Sequence, residues 1–171
     1  MSRRTDNFII KMTLEEYNMC VDTFADGMYR FVLKNLKDTD QAKDIIQDCF
    51  EKLWIRYSTV SFEKAKSYLF TSAYHTMIDV IRKNKHFENS DEKMNEPFHT
   101  KQYSDISEVL QQALETLPED QKAVLLLRDY EGYSYQEIEE ITGLNASQVK
   151  VYIYRARMAL KEYLGSIELV I

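Results

Sequence analysis

The sequence predicts an all-α protein of two small helical domains joined by a flexible linker, and three observations predict it. Apolar residues recur every three to four positions along most of the chain. Only four Gly and two Pro interrupt 171 residues, and nothing alternates polar and apolar long enough to suggest a strand. Residues 86–105 lack periodicity and hold five acids against two lysines. Twenty such residues inside a compact domain would be unusual, so they read as an acidic linker between domains at 13–85 and 106–166.

Thr13 and Glu16 can cap a first helix whose Tyr17, Val21, Phe24, Met28, Phe31 and Val32 face inward, ending near Leu36. Gly27 lies inside it and weakens it slightly. A second helix begins near Asp40, buries Ile45, Ile46, Cys49, Phe50 and Leu53, and stops beyond Trp54. Its other face shows Asp44, Gln47, Asp48 and Lys52. A third runs from about Lys64 to Lys83 on a stripe of Leu69, Ala73, Met77 and Ile81. Its end is basic through Arg82, Lys83 and Lys85, which would suit a helix dipole. Tyr68, Tyr74 and His75 on the same helix give a second reading, because aromatics interleaved with cations are what single-stranded bases stack on.

Residues 133–164 read as a helix-turn-helix. Ser134 with Glu137 forms a capping box, with Tyr133 and Ile138 as its hydrophobic staple. Thr142-Gly143-Leu144-Asn145 makes the turn, and Gly143 sits where positive φ is often demanded. Asn145 and Gln148 repeat the cap, with Leu144 and Val149 as the staple. Val149, Ile153, Ala156 and Leu160 would face the preceding helix, leaving Ser147, Lys150, Val151 and Tyr154 outward. From Asn145 to Lys161 every charge is a cation, Lys150, Arg155, Arg157 and Lys161, whereas 129–142 carries only acids. A solvated amphipathic helix normally mixes signs, so this face points to DNA.

A formal net charge of −6 argues against a nonspecific DNA binder and fits a protein that reaches DNA only with help. Cys20 and Cys49 lack metal-ligand spacing, are too few for a disulfide framework, and fall on apolar faces. They read as core residues of a cytoplasmic protein. No signal peptide is apparent and no apolar run approaches a membrane span, so no direct membrane insertion is expected. His75, His86 and His99 form neither triad nor ligand spacing, and no Gly-rich phosphate loop occurs. No enzyme, catalytic residue, metal or cofactor is expected.

The order of these pieces resembles the extracytoplasmic-function (ECF) sigma factors of bacterial RNA polymerase, members of the sigma-70 family. The segment Ala42-Lys43-Asp44-Ile45-Ile46-Gln47-Asp48-Cys49-Phe50-Glu51-Lys52-Leu53-Trp54 is similar to the polymerase-binding helix of region 2. Tyr68-Leu69 through Asp79-Val80-Ile81-Arg82-Lys83 is similar to the segment that melts and reads the −10 element. Leu117-Pro118-Glu119-Asp120-Gln121, Tyr135-Gln136-Glu137-Ile138, Gly143-Leu144, Val149-Lys150 and Arg155-Ala156-Arg157 follow the region-4 pattern in order. Together they span about Phe24 to Leu164.

The resemblance implies a sigma region-2 domain at 13–85 and a region-4 helix-turn-helix domain at 106–166. The function implied is binding of core RNA polymerase and promoter-specific transcription initiation. Asp44, Gln47, Asp48, Lys52 and Trp54 would bind core polymerase. Lys66, Tyr68, Tyr74, His75, Asp79, Arg82 and Lys83 would line the −10 strand, where a base is captured in a pocket whose residues stay unassigned. Ser147, Gln148, Lys150, Val151 and Tyr154 would meet the −35 element at base edges, and Arg155, Arg157 and Lys161 at phosphates. A cognate anti-sigma factor is an expected partner.

Some positions depart from the family's pattern. Glu139 and Thr142 stand where it has a small and a large apolar residue, which predicts looser packing of the helix pair. Val151 and Tyr152 replace small polar and basic residues, so no base preference carries over. Twenty linker residues reach roughly 70 Å at about 3.3 to 3.6 Å each, about two DNA turns at roughly 34 Å. The alternative is a one-component helix-turn-helix regulator with a helical sensing or dimerisation domain. It leaves the order of the region-2 segments unexplained.

Overall fold

Thr13 and Glu16 open the first helix by exchanging hydrogen bonds. The Glu16 N–H donates to the Thr13 hydroxyl at 3.2 Å, and the Thr13 N–H donates to Glu16 Oε2 at 2.8 Å. This reciprocal cap satisfies two of the N–H groups that a helix start leaves without partners, and α1 runs from it over Leu14–Leu36. The structure, a computed structural model, describes residues 11–90 and 106–168, and no strand occurs among them. Most of the expected linker, residues 91–105, lies outside the described residues.

The chain divides into two compact units, Met1–Ala73 and Tyr74–Ile171. In the first, α1 packs on α2, Thr39–Ile55, whose start is capped by Asp38 accepting from the Asp40 and Gln41 N–H groups. Their facing stripes bury Cys20, Met28, Phe31 and Val32 from α1, and Ala42, Ile45, Cys49, Phe50 and Leu53 from α2. The third helix, α3, spans Phe62–Ser90 and brings Ala65, Leu69, Phe70 and Ala73 into this core. Phe31 and Phe70 meet with ring centroids 6.3 Å apart. Burial pushes both cysteine thiols up from their ordinary value, so Cys20 and Cys49 pack as small apolar groups.

The third helix continues past Lys83 to Ser90, beyond the expected end. Basic residues near a C-terminus favour a helix end but do not enforce one. Asn84-Lys85-His86-Phe87-Glu88 contains neither Gly nor Pro to stop it. The first residues assigned to the linker are therefore helical.

The second unit holds the last turns of α3 with α4, Ile106–Glu115, α5, Glu119–Leu125, α6, Tyr135–Thr142, and α7, Ala146–Glu168. A π-helical turn, Leu126–Tyr130, prolongs α5, closed by the Glu131 N–H donating to Leu126 O at 2.9 Å. The core gathers around α7: Val149, Ile153 and Ala156 are buried with Ile138 and Ile141 of α6 and the Ala123–Leu127 run. Thr142, where a large apolar residue is expected, is buried all the same. Its hydroxyl donates to Ile138 O at 2.7 Å and accepts from the Leu144 N–H at 3.3 Å, so the polar group is buried with its bonding satisfied.

Gly143 adopts φ 75°, and a Cβ built there meets nothing within 4 Å. Side-chain clash is absent, so only backbone strain opposes substitution, roughly 1–2 kcal/mol for a left-handed L-residue. Gly143→Ala is expected to lower the thermal midpoint by about 5–10 °C, and Gly143→Asn by less. Circular dichroism melting checks both. An unchanged midpoint for the alanine variant would mean that the turn relaxes out of this conformation.

Candidate polymerase and DNA interfaces

On α2 the apolar stripe faces α1, and helical spacing turns Asp44, Gln47 and Asp48 to solvent. All three are exposed, and Lys52 joins them one turn on through a 3.5 Å ion pair with Asp48. Glu51 and Ile55 occupy the same face; Ile55 is 70% exposed. Neither is among the residues that the resemblance implies for polymerase binding, although both follow Asp44 and Asp48 at the same three- to four-residue interval. Trp54 is 46% exposed and held from two sides. Its ring stacks on Tyr57 at 5.5 Å and takes the edge of Tyr17 at 5.0 Å. The Tyr17 hydroxyl in turn donates to Phe50 O at 3.1 Å. The result is an acidic patch with a fixed aromatic beside it.

The expected −10 residues on α3 are placed unequally. Lys66 and Tyr68, in the first unit, are half-buried. In the second unit His75, Asp79, Arg82 and Lys83 are exposed, spaced so that Asp79 follows His75 by four positions and Arg82 follows Asp79 by three. Tyr74 is different: only 4% exposed, it stands three and four positions before Met77 and Ile78 and shares their buried face. Its hydroxyl donates to Asp120 at 3.1 Å, and burial followed by the Asp120 charge pushes the phenol well above its usual range. Arg82 lies 3.9 Å from the same carboxylate. Lys85 donates to Glu119 at 2.6 Å, a bond that holds the Glu119 carboxyl below its usual value. Tyr74 therefore supports this face from beneath, with its ring edge against His75 at 5.2 Å.

The helix-turn-helix is set by two further reciprocal caps. Ser134 and Glu137 start α6 with bonds of 3.2 and 2.8 Å. Asn145 and Gln148 start α7, the Gln148 N–H donating to Asn145 Oδ1 at 2.9 Å and Gln148 Oε1 accepting from the Asn145 N–H at 3.0 Å. Gln148 thus spends its carbonyl on the cap, leaving only its amide NH2 to contact a base. Ser147, Lys150, Val151, Tyr154, Arg155, Arg157 and Lys161 are all exposed.

Arg157 is not free. Its Nε and Nη2 form a bidentate pair with Asp129 at 2.9 and 2.5 Å, which raises the guanidinium pKa. Asp129 belongs to the π-helical turn, and its neighbour Arg128 lies 4.8 Å over the Tyr135 ring while donating to Tyr133 O at 2.8 Å. Gly132, at φ 78°, lets the chain reverse directly after this turn. The turn thereby ties α5, α6 and α7 together, a role that no sequence periodicity announces. Among the described residues no cluster of potential metal ligands occurs, and no helix is long and apolar enough to cross a membrane.

Comparison with known proteins agrees with this arrangement. The family model Sigma-70 region 2 matches residues 20–87, and Sigma-70, region 4 matches residues 107–160. The RNA polymerase sigma factor SigV of Bacillus subtilis (strain 168) is 34% identical over 142 residues, covering 80% of this chain and 84% of SigV. The ECF RNA polymerase sigma factor SigM of the same organism is 30% identical over 157 residues, covering 88% of this chain and 94% of SigM. In fold, the chain is similar to the sigma factor RpoE in its complex with the anti-sigma factor NepR from Bartonella quintana. That likeness has a TM-score of 0.73 and 24% identity, over 89% of this chain and 98% of RpoE. CnrH, solved with the cytosolic domain of CnrY, has the same fold at a TM-score of 0.66 and 18% identity, with 88% of each chain covered. The helical architecture, the paired region-2 and region-4 matches and these relatives place the chain in the ECF branch of the sigma-70 family, alternative sigma factors that direct promoter-specific transcription initiation.

Proposed function

We propose a division of labour between two exposed faces of opposite sign. The α2 face of Asp44, Gln47, Asp48 and Glu51, with Trp54 beside it, docks on a basic surface of core RNA polymerase. The α7 face of Ser147, Lys150, Val151, Tyr154, Arg155 and Lys161 enters the major groove of the −35 element. The observation that carries this reading is the segregation of charge. The α2 face presents three carboxylates against one cation, Lys52, which is paired with Asp48, and the α7 face carries only cations from Asn145 to Lys161. Complementary fields of this kind steer two different partners to two different surfaces.

On α3, His75, Asp79, Arg82 and Lys83 are the open residues for the single-stranded −10 element, and Lys66 and Tyr68 are assigned to the same strand. Engagement of the strand by Arg82 exchanges its Asp120 contact for a phosphate. The domains serving these tasks are 13–85 and 106–166, although Tyr74, Arg82 and Lys85 pack on α5 within the second compact unit, and the acidic segment between them is the tether. The chain works in the cytoplasm, where the polymerase is, and a cognate anti-sigma factor holds it inactive, as the complex of RpoE with NepR illustrates for a related fold.

Reconstitution tests the reading. The purified chain is expected to bind core RNA polymerase and start transcription from a limited set of promoters, read by sequencing RNA 5′ ends. Tight binding of duplex DNA by the chain alone, with no affinity for polymerase, would overturn it in favour of a self-sufficient helix-turn-helix regulator.

A further inference from the structure

The exposed face of α7 has an apolar spine. Val151, Tyr154 and Met158 follow one another at intervals of three and four residues and are 41%, 64% and 47% exposed. Ser147 begins the same line one turn earlier. At 100° per residue these four fall on one strip of the helix. Lys150 and Lys161 border it on one side, where Arg157 is held against Asp129, and Arg155 borders it on the other. A single exposed apolar residue on a helix is ordinary. A centred spine with cations along both edges is a more specific shape.

That shape matches a DNA major groove. The groove is bounded by two phosphate walls about 12 Å apart, and its floor displays hydrogen-bonding edges and one kind of apolar group, the C5-methyl of thymine. Cations at the borders of the helix face the walls, and the residues at its centre face the floor. Recognition helices reach base edges chiefly through their first turns, which selects Val151 over Met158. Val has no donor or acceptor, so the base group it can read is the methyl. We infer that Val151 packs on a thymine C5-methyl in the −35 element, making thymine at that position a determinant of promoter choice.

The inference rests on α7 occupying the −35 major groove. The experiment takes promoters mapped for the reconstituted holoenzyme and replaces each −35 thymine in turn, on both strands, by deoxyuridine, which removes the methyl alone. Wild-type holoenzyme is expected to lose about fourfold in affinity at one thymine, the value of about one buried methyl. Val151→Ala is expected to bind the thymine duplex about fourfold more weakly and to bind the thymine and deoxyuridine forms equally at that position. Val151 is exposed and Ala is the better helix former, so helicity and core binding should be unchanged.

Three results would overturn the contact: a −35 element without thymine, wild-type tolerance of deoxyuridine at every position, or an unchanged thymine preference in Val151→Ala. Complete loss of binding by Val151→Ala would also overturn it, since one methyl contact does not carry so much. Failure of the underlying reading looks different, because transcription would then not depend on the −35 sequence at all.

Discussion

Replacing Asp44 and Asp48 together by Lys is expected to abolish holoenzyme assembly, weakening core polymerase binding by a hundredfold or more. The double change shifts the exposed α2 face by four charge units, turning an acidic surface basic. Like-charge juxtaposition across an interface costs several kcal/mol, and each 1.4 kcal/mol is tenfold in affinity. The fold should tolerate the change. Both side chains are exposed, the core stripe of Ile45, Cys49 and Leu53 is untouched, and the Asp40 and Gln41 N–H groups keep their Asp38 cap. What is lost locally is the exposed Asp48–Lys52 pair at 3.5 Å, worth about 0.2–0.5 kcal/mol, and the like charges that replace it one turn apart cost about as much again. Circular dichroism should therefore report wild-type helicity while native-gel or pull-down assembly with core polymerase fails. Normal assembly by this variant would remove the α2 face from the interface and leave Trp54 and Ile55 to be explained otherwise.

Local chemistry was legible in the sequence wherever both partners lie within one turn. The capping boxes at Thr13 and Glu16, Ser134 and Glu137, and Asn145 and Gln148 are all formed, because a cap needs only residues three positions apart. The inward faces of α1, α2 and α7 follow for the same reason, since period decides which face turns inward, but Tyr17, Val21, Phe24, Ile46 and Leu160 at the edges of those stripes are only half-buried. The run of α3 to Ser90 was not legible. A basic helix end reads as a stop, yet nothing in 84–88 breaks the helix.

The fate of single polar groups was the other illegible part. Tyr74 looks like a stacking platform by its neighbours Tyr68 and His75, but its position before Met77 and Ile78 buries it, and its hydroxyl finds Asp120, distant in sequence. Thr142 breaks an apolar pattern, but a hydroxyl can return its bond to the carbonyl four residues back. Arg157 meets Asp129 across 28 positions, through a π-helical turn whose geometry no pattern of residues foretold. Charge sign along a segment is readable from sequence. Which charge is already partnered is a property of the packed unit.

That distinction decides the second large effect, the salt dependence of −35 binding. Lys150 and Arg155 are exposed on α7, and among the described residues neither has a carboxylate partner. If each neutralises one phosphate, the pair releases about two counterions, and removing both should flatten the slope of log affinity against log salt by about 1.8. Between roughly 50 and 200 mM salt, wild type should then lose about tenfold more affinity than Lys150→Ala with Arg155→Ala. The variant should also be the weaker binder across that range, with sequence preference kept, because phosphate contacts position the helix without reading bases.

Arg157→Ala should behave differently. Its guanidinium already sits against the Asp129 carboxylate, so the local net charge presented to a phosphate is near zero and fewer counterions are displaced. The slope should change by well under one unit. Thermal stability should fall by at most about 1 kcal/mol, as expected for an ion pair about half exposed on both sides. Titrating holoenzyme against −35 duplex at several salt concentrations separates the two variants. An unchanged slope in Lys150→Ala with Arg155→Ala would mean that these cations only solvate α7. A drop of a full unit in Arg157→Ala would mean that DNA pulls Arg157 away from Asp129, making the π-helical turn part of the binding event.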